Sequence, residues 1–119
     1  MKLVRNRIPQ LIQDSGKSSK CHSADLEEFS QRLEDKMKEE LNEFMENPCH
    51  EEAADMYEVL RCLCWLNNLD MEDVINAADI KRIDKGGFTK GIVLEEVIDS
   101  SVKDDWTTTS QGEHIEYKD

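Results

Sequence analysis

The chain contains no long hydrophobic run. None of its apolar stretches approaches ~20 residues, the length that a membrane-spanning helix requires, so no membrane partner is expected. The N-terminal stretch MKLVRNRIPQ also lacks the apolar segment of a secretory signal. These two absences predict a cytoplasmic protein whose cysteines are free thiols. The cysteines are Cys21, Cys49, Cys62 and Cys64.

Positive charge is scarce in this sequence. Lysine and arginine together number 15, against 27 aspartates and glutamates, and the formal net charge is -12. Nucleic acids and anionic membranes attract basic surfaces and repel acidic ones. The charge balance therefore excludes broad binding to either of these partners.

Apolar material is limited as well. Hydrophobic residues make up 38% of the chain and charged residues 35%. A single domain of 119 residues built from amphipathic helices then has a small core of its own and leaves apolar seams uncovered. We expect an all-α helical bundle that is completed by a homodimer or a higher homo-oligomer.

Two acidic pairs interrupt the apolar pattern of residues 36–61. Glu40 and Glu43 are three residues apart, as are Glu52 and Asp55, so each pair lies on one side of a helix. The predicted apolar stripes are Leu26, Phe29, Leu33, Met37, Leu41 and Phe44 in the first helix and Ala53, Met56, Val59, Leu60 and Leu63 in the second. Glu40 and Glu52 fall inside these stripes, whereas the other two acids lie on their border. Because a buried charge destabilises a fold unless it is paired, the two pairs require a shared explanation.

The dipeptide Asn47-Pro48 separates the two pairs. We predict that Asn47 is the N-cap and Pro48 the first residue of the second helix. An antiparallel hairpin that turns there brings four carboxylates to one level, where they repel one another without a cation. Oxygen ligands alone suit Mg²⁺ or Mn²⁺. A solvated acidic face is the alternative interpretation of the same pattern.

The remaining helices are predicted from their caps. Pro9 opens a short helix that Gly16 ends. Ser23 or Asp25 caps the first long helix of the hairpin, and the second is predicted over residues 48–66.

The C-terminal part of the chain is predicted to contain one more long helix, a short β arm and a polar extension. Asp70 is predicted to cap a third long helix over 71–85, which packs across the hairpin. Residues 88–97 are predicted to form a short extended β arm. These elements complete a domain of residues 1–98, and the polar extension 99–119 is either a hairpin or disordered.

Basic residues cluster at two places. Arg5 and Arg7 alternate in the N-terminal stretch, where they either face phosphates or form a solvated basic end. Lys81 and Lys85 continue the apolar face of the third helix, with Arg82 at its edge. Cations at a helix C-terminus interact favourably with the helix dipole, which is the alternative to phosphate contact.

The acidic signature resembles that of a known enzyme superfamily. The series EExxE at 39–43, followed by ExxD at 52–55, is similar to the signature of the all-α nucleotide pyrophosphohydrolases, the MazG-like and phosphoribosyl-ATP pyrophosphohydrolase-like superfamily. The stretches KLVRNRIP at 2–9 and KRxxKGGF at 81–88 resemble its small stand-alone members. Asn6 departs from the pattern, because the family has an aspartate there.

The resemblance implies hydrolysis of a nucleoside triphosphate to the monophosphate and pyrophosphate, with Mg²⁺ or Mn²⁺ as cofactor. It implies that the metal ion is held by Glu40, Glu43, Glu52 and Asp55. It also implies that Glu39 orients or deprotonates the attacking water. The expected phosphate contacts are Lys81, Arg82, Lys85, Arg5 and Arg7. Two alternatives stay open: an acidic helical interaction module, and a metal-binding regulator without turnover.

Overall fold

Four α-helices form the regular structure of residues 1–99. The computed structural model describes residues 1–99, and no strand occurs among them, so the predicted all-α fold is confirmed for this part of the chain. The helices are α1 (Ile8–Asp14), α2 (Leu26–Glu46), α3 (His50–Leu66) and α4 (Met71–Lys85).

The short β arm predicted over 88–97 is absent from the described residues. This stretch begins with a turn and continues as irregular backbone. The backbone N–H of Gly91 donates to the carbonyl of Phe88 at 3.0 Å, which closes a local turn instead of a ladder between strands. Apart from Asp99, the extension for which a hairpin or disorder is predicted lies outside the described residues.

Local sequence signals determine where α1 and α2 begin. Pro9 lies in the first turn of α1, where its missing N–H removes no helical hydrogen bond. Gly16 follows the helix with a φ of 93°, a left-handed conformation that glycine adopts without strain. At the start of α2, the side chain of Asp25 accepts a hydrogen bond from the backbone N–H of Glu28 at 2.8 Å. Asp25 is therefore the cap that the chain uses.

The predicted start of the second hairpin helix is wrong by two residues. Asn47 is the C-cap of α2, and its backbone N–H bonds the carbonyl of Glu43. The residue before a proline is disfavoured in the helical conformation, and α2 accordingly ends just before Asn47. Cys49 has extended backbone angles, and α3 begins at His50. The link between the helices is still short enough for α3 to fold back along α2.

The core of the hairpin is small. Leu33 from α2 and Val59 and Cys64 from α3 are the buried hydrophobic residues of the described chain. Several residues of the predicted apolar stripes are exposed instead: Leu26, Leu41, Ala53 and Leu60. Little apolar surface is thus removed from water within the hairpin.

The described residues divide into two compact units, of which the first is Met1–Leu69 and the second begins at Asp70. In the second unit, Asp70 caps α4 by accepting a hydrogen bond from the backbone N–H of Glu72 at 2.8 Å, as predicted. Gly86 ends α4 with a φ of 79°. The packing of α4 across the hairpin and the domain limit at residue 98 stay predictions. None of the helices within residues 1–99 is long and apolar enough to cross a membrane.

Candidate metal centre

The hairpin of α2 and α3 brings the predicted acids together in two overlapping groups. Glu39, Glu40 and Glu43 form the first group, and Glu40, Glu52 and Asp55 form the second. Within each group, one carboxylate oxygen of every residue lies within 4.8 Å of the others. Glu40 belongs to both groups and therefore joins the acids of α2 to those of α3. We call these five residues the acidic cluster.

Glu40 is the buried member of the acidic cluster. It is 4% exposed and is the buried charged residue of the described chain. Its Oε1 atom lies 3.4 Å from Nζ of Lys36, one helical turn earlier. Its Oε2 atom is buried without a hydrogen-bond partner, and so is Oε2 of Glu52. Burial raises the pKa of Glu40, and the negative charges of Glu43 and Asp55 raise it further against the opposing effect of Lys36.

The two orphaned oxygens test whether the cluster fits a cation. A buried carboxylate oxygen without a donor loses its hydration and gains no protein contact in return, at a cost of roughly 1–3 kcal/mol or more when charged. Glu40 and Glu52 belong to the same group of converging carboxylates, so a divalent ion held by that group would be coordinated by both residues. The donor set consists of carboxylates alone, which suits Mg²⁺ or Mn²⁺ and not a soft metal. The residues present therefore fit the predicted ion.

Lys36 fixes the position and charge of Glu39. The Lys36 ammonium donates to Oε1 of Glu39 at 2.8 Å. This hydrogen bond lowers the pKa of Glu39, so the carboxyl group is ionised at neutral pH. Partial burial opposes the charged form of Lys36, yet the contacts with Glu39 and Glu40 prevail and raise its pKa. Sequence reasoning missed Lys36, although its spacing of three and four residues from these acids is the signal for such pairs.

The N-terminal segment reaches the acidic cluster as well. Nη2 of Arg5 donates to Oδ1 of Asp55 at 2.7 Å across fifty positions of sequence, a contact that no local pattern could predict. Both side chains are partly exposed. The charge of Lys2 also contributes, after the contact with Lys36, to the lowered pKa of Glu39. Arg5 thus lies beside the candidate ligand Asp55, and the charge of Lys2 acts on Glu39.

The other predicted phosphate contacts lie elsewhere in the chain. Arg7 is exposed at the start of α1. Lys81, Arg82 and Lys85 are exposed near the C-terminus of α4, in the second unit. Their role in binding phosphate stays a prediction.

The four cysteines are free, as the sequence predicts. Comparison of the chain with protein-family models, curated proteins and solved structures found no match.

Proposed function

We propose that the protein is a divalent-metal-dependent nucleotide pyrophosphohydrolase, which hydrolyses a nucleoside triphosphate to the monophosphate and pyrophosphate. The observation that carries this proposal is the buried, unpartnered Oε2 atom of Glu40 among carboxylates from two helices. A buried charge surrounded by like charges destabilises a fold, so its presence favours a bound cation. The resemblance of the acidic signature supports the reaction class.

The proposed ligands of Mg²⁺ or Mn²⁺ are Glu40, Glu43, Glu52 and Asp55. When bound, the ion would supply positive charge beside the phosphate oxygens and would acidify a coordinated water. Glu40 and Glu52 provide the buried side of this arrangement, since their Oε2 atoms lack other partners. Glu43 is exposed and the side chain of Asp55 is 39% exposed, so these two residues provide the side that a substrate reaches from solvent.

Glu39 is the proposed catalytic carboxylate. It lies beside the ligands, and its side chain is 37% exposed, so water reaches it. The hydrogen bond from Lys36 engages Oε1 and keeps the group ionised. An oriented, ionised carboxylate next to the bound phosphates can align the attacking water and accept its proton.

Five cations are the proposed phosphate contacts. Arg5 already lies beside Asp55, and a guanidinium suits phosphate oxygens because it can donate two parallel hydrogen bonds. Arg7 and the α4 residues Lys81, Arg82 and Lys85 complete the proposed set.

We also propose that the protein functions as a homodimer or higher homo-oligomer. Met45 on α2 and Trp65 on α3 are each 68% exposed, which is unusual for such large apolar side chains. Leu41 and Leu60 are exposed on the same two helices. A second copy would cover these side chains, whereas Trp65 has the alternative role of stacking on a nucleobase.

The proposed function is tested by a panel of nucleotides that includes ribo- and deoxynucleoside triphosphates, non-canonical triphosphates and phosphoribosyl-ATP. We expect Mg²⁺-dependent release of pyrophosphate from at least one of them by the wild type. Glu40→Gln should abolish the release. Glu34→Gln is the matched control, because Glu34 is an exposed carboxylate on the same helix that pairs with Lys38.

Two other outcomes identify the alternatives. Stoichiometric Mg²⁺ binding without release of pyrophosphate from any nucleotide indicates a metal-binding regulator. Diffuse Mg²⁺ binding that Glu40→Gln and Glu34→Gln weaken equally indicates an acidic interaction module. Isothermal titration calorimetry distinguishes these two results from each other and from the enzyme.

A further inference from the structure

A cavity lies between the N-terminal segment and the first half of α2. Its volume is about 780 Å³, within the range of roughly 300–1,000 Å³ that is typical of small-molecule sites. Residues 1–12, the loop 20–24 and one side of α2 line it. Apolar side chains form much of the wall, including Leu3, Ile8, Ile12 and Phe29.

Three polar side chains that line this cavity, His22, Glu28 and Arg32, form one hydrogen-bonded group. The carboxylate of Glu28 lies 3.0 Å and 3.1 Å from Nε2 of His22 through its two oxygens. Nε of Arg32 donates to the same carboxylate at 3.2 Å, and Nη1 of Arg32 donates to the carbonyl of Met1 at 3.2 Å. An apolar wall with a few fixed polar groups is the usual composition of a site that binds a small organic molecule.

The cavity is connected to the acidic cluster through Arg5. Arg5 lines the cavity and also donates to Asp55 at 2.7 Å. Lys2 lines the cavity as well, and its charge acts on Glu39. Along α2, Arg32 precedes Glu40 by eight positions, or about 12 Å at the rise of an α-helix. This separation is comparable to the distance between the base and the outer phosphates of an extended nucleoside triphosphate.

We propose that the cavity is the nucleoside subsite, in which the base packs against Phe29 and its polar edge or the sugar contacts the His22–Glu28–Arg32 group. The proposal rests on the proposed function, because it extends the substrate from the phosphates at the acidic cluster into the adjoining cavity. Lys2 and Arg5 then lie between the cavity and the acidic cluster, where these two cations of the N-terminal segment face the phosphate chain of the substrate. Selection among bases then depends on His22, Glu28 and Arg32, which line the cavity as one hydrogen-bonded group.

Two measurements test this subsite separately from catalysis. In the first, adenosine, guanosine, cytidine, uridine and thymidine are each titrated, without metal, into ¹⁵N-labelled wild-type protein. We expect at least one nucleoside to shift amide resonances of residues 1–32 and to leave those of 40–55 largely unchanged. This result is independent of any hydrolysis.

The second measurement compares variants on the best substrate of the nucleotide panel. His22→Ala and Glu28→Gln should each raise KM about tenfold, the effect of losing a hydrogen bond to a polar ligand, with kcat close to that of the wild type. Inhibition by inorganic tripolyphosphate, which has no nucleoside, should be unchanged. Glu34→Gln, whose carboxylate lies outside this cavity, should leave KM unchanged.

The possible outcomes test the proposed subsite and the proposed enzymatic function independently of each other. Nucleoside-dependent shifts in 1–32 without pyrophosphate release support the subsite and refute the proposed function. Turnover with unchanged KM in both variants and no such shifts refutes the subsite and leaves the enzyme in place. Shifts in 1–32 that follow protein concentration instead of nucleoside concentration assign the cavity to a second copy of the chain and overturn the proposal.

Discussion

Replacing Glu40 by glutamine should make the metal-free protein more stable and remove its response to Mg²⁺. In the wild type, Oε2 of Glu40 and Oε2 of Glu52 are both buried without a partner. A glutamine keeps the shape of the side chain, removes one charge and offers an amide that can donate to Glu52. With one such group worth roughly 1–3 kcal/mol, we expect a gain of about 1–2 kcal/mol in the free energy of unfolding.

Magnesium should make the wild type more stable than Glu40→Gln, which reverses the order of stability expected without metal. An ion that binds only the folded state stabilises it by about 2.7 kcal/mol at a concentration ~100 times its dissociation constant. Wild-type protein should then melt several degrees higher with MgCl₂ than with EDTA, and Glu40→Gln should show little change. The assay is thermal unfolding followed by circular dichroism, with NaCl at matched ionic strength as the comparison.

A matched variant and two outcomes decide this prediction. Glu34→Gln removes an exposed carboxylate from the same helix and should keep the full Mg²⁺ response. Equal stabilisation of the wild type by NaCl and MgCl₂ would mean that simple screening of an acidic surface accounts for the effect. A full Mg²⁺ response in Glu40→Gln would refute the assignment of Glu40 as a ligand.

Three further predictions concern turnover, phosphate binding and pH. Glu52→Gln should abolish pyrophosphate release while the circular dichroism spectrum stays helical, and wild-type activity in this variant would contradict the ligand set. Lys81→Ala and Lys85→Ala should weaken nucleotide binding more than Mg²⁺ binding in calorimetry, whereas a loss of folding would indicate a structural role. The hydrogen bond with His22, aided by Arg32, lowers the pKa of Glu28 below its usual value. Ionised Glu28 therefore stabilises the native state above the unfolded-state pKa, and this stabilisation is lost as the pH falls through the folded-state pKa. Denaturant unfolding should therefore show wild type and Glu28→Gln converging in stability at acid pH, and a difference that stays constant with pH would contradict this.

The features predicted correctly from sequence are those that local chemistry determines. Asp25 and Asp70 cap helices because a short acidic side chain can reach the backbone N–H groups of the first turn. The grouping of Glu40 with Glu52 followed from their positions inside two apolar stripes joined by a short link. Both inferences require only helical periodicity and the direction of the chain.

Sequence reasoning missed features of two kinds: those in which one residue could serve either of two helices, and those that depend on contacts between residues distant in sequence. Asn47 could cap either helix, and the restriction that Pro48 places on it favoured the end of α2. The contact of Arg5 with Asp55 depends on how the N-terminal segment lies on the hairpin, which no periodic pattern encodes. In the predicted stripe of α3, Val59 is buried, whereas Ala53 and Leu60 are exposed.

The membership of Glu40 in both acid groups predicts strong epistasis among these positions. Glu43 shares a group with Glu40 on α2, and Asp55 shares one with it across the hairpin, so neither group stays complete without Glu40. Neutralising Glu43 or Asp55 should change metal affinity in the wild-type background and change it little when Glu40 is already glutamine. A lineage that lost Glu40 first would therefore be free to lose the other acids, whereas one that kept Glu40 would remain under selection to keep them.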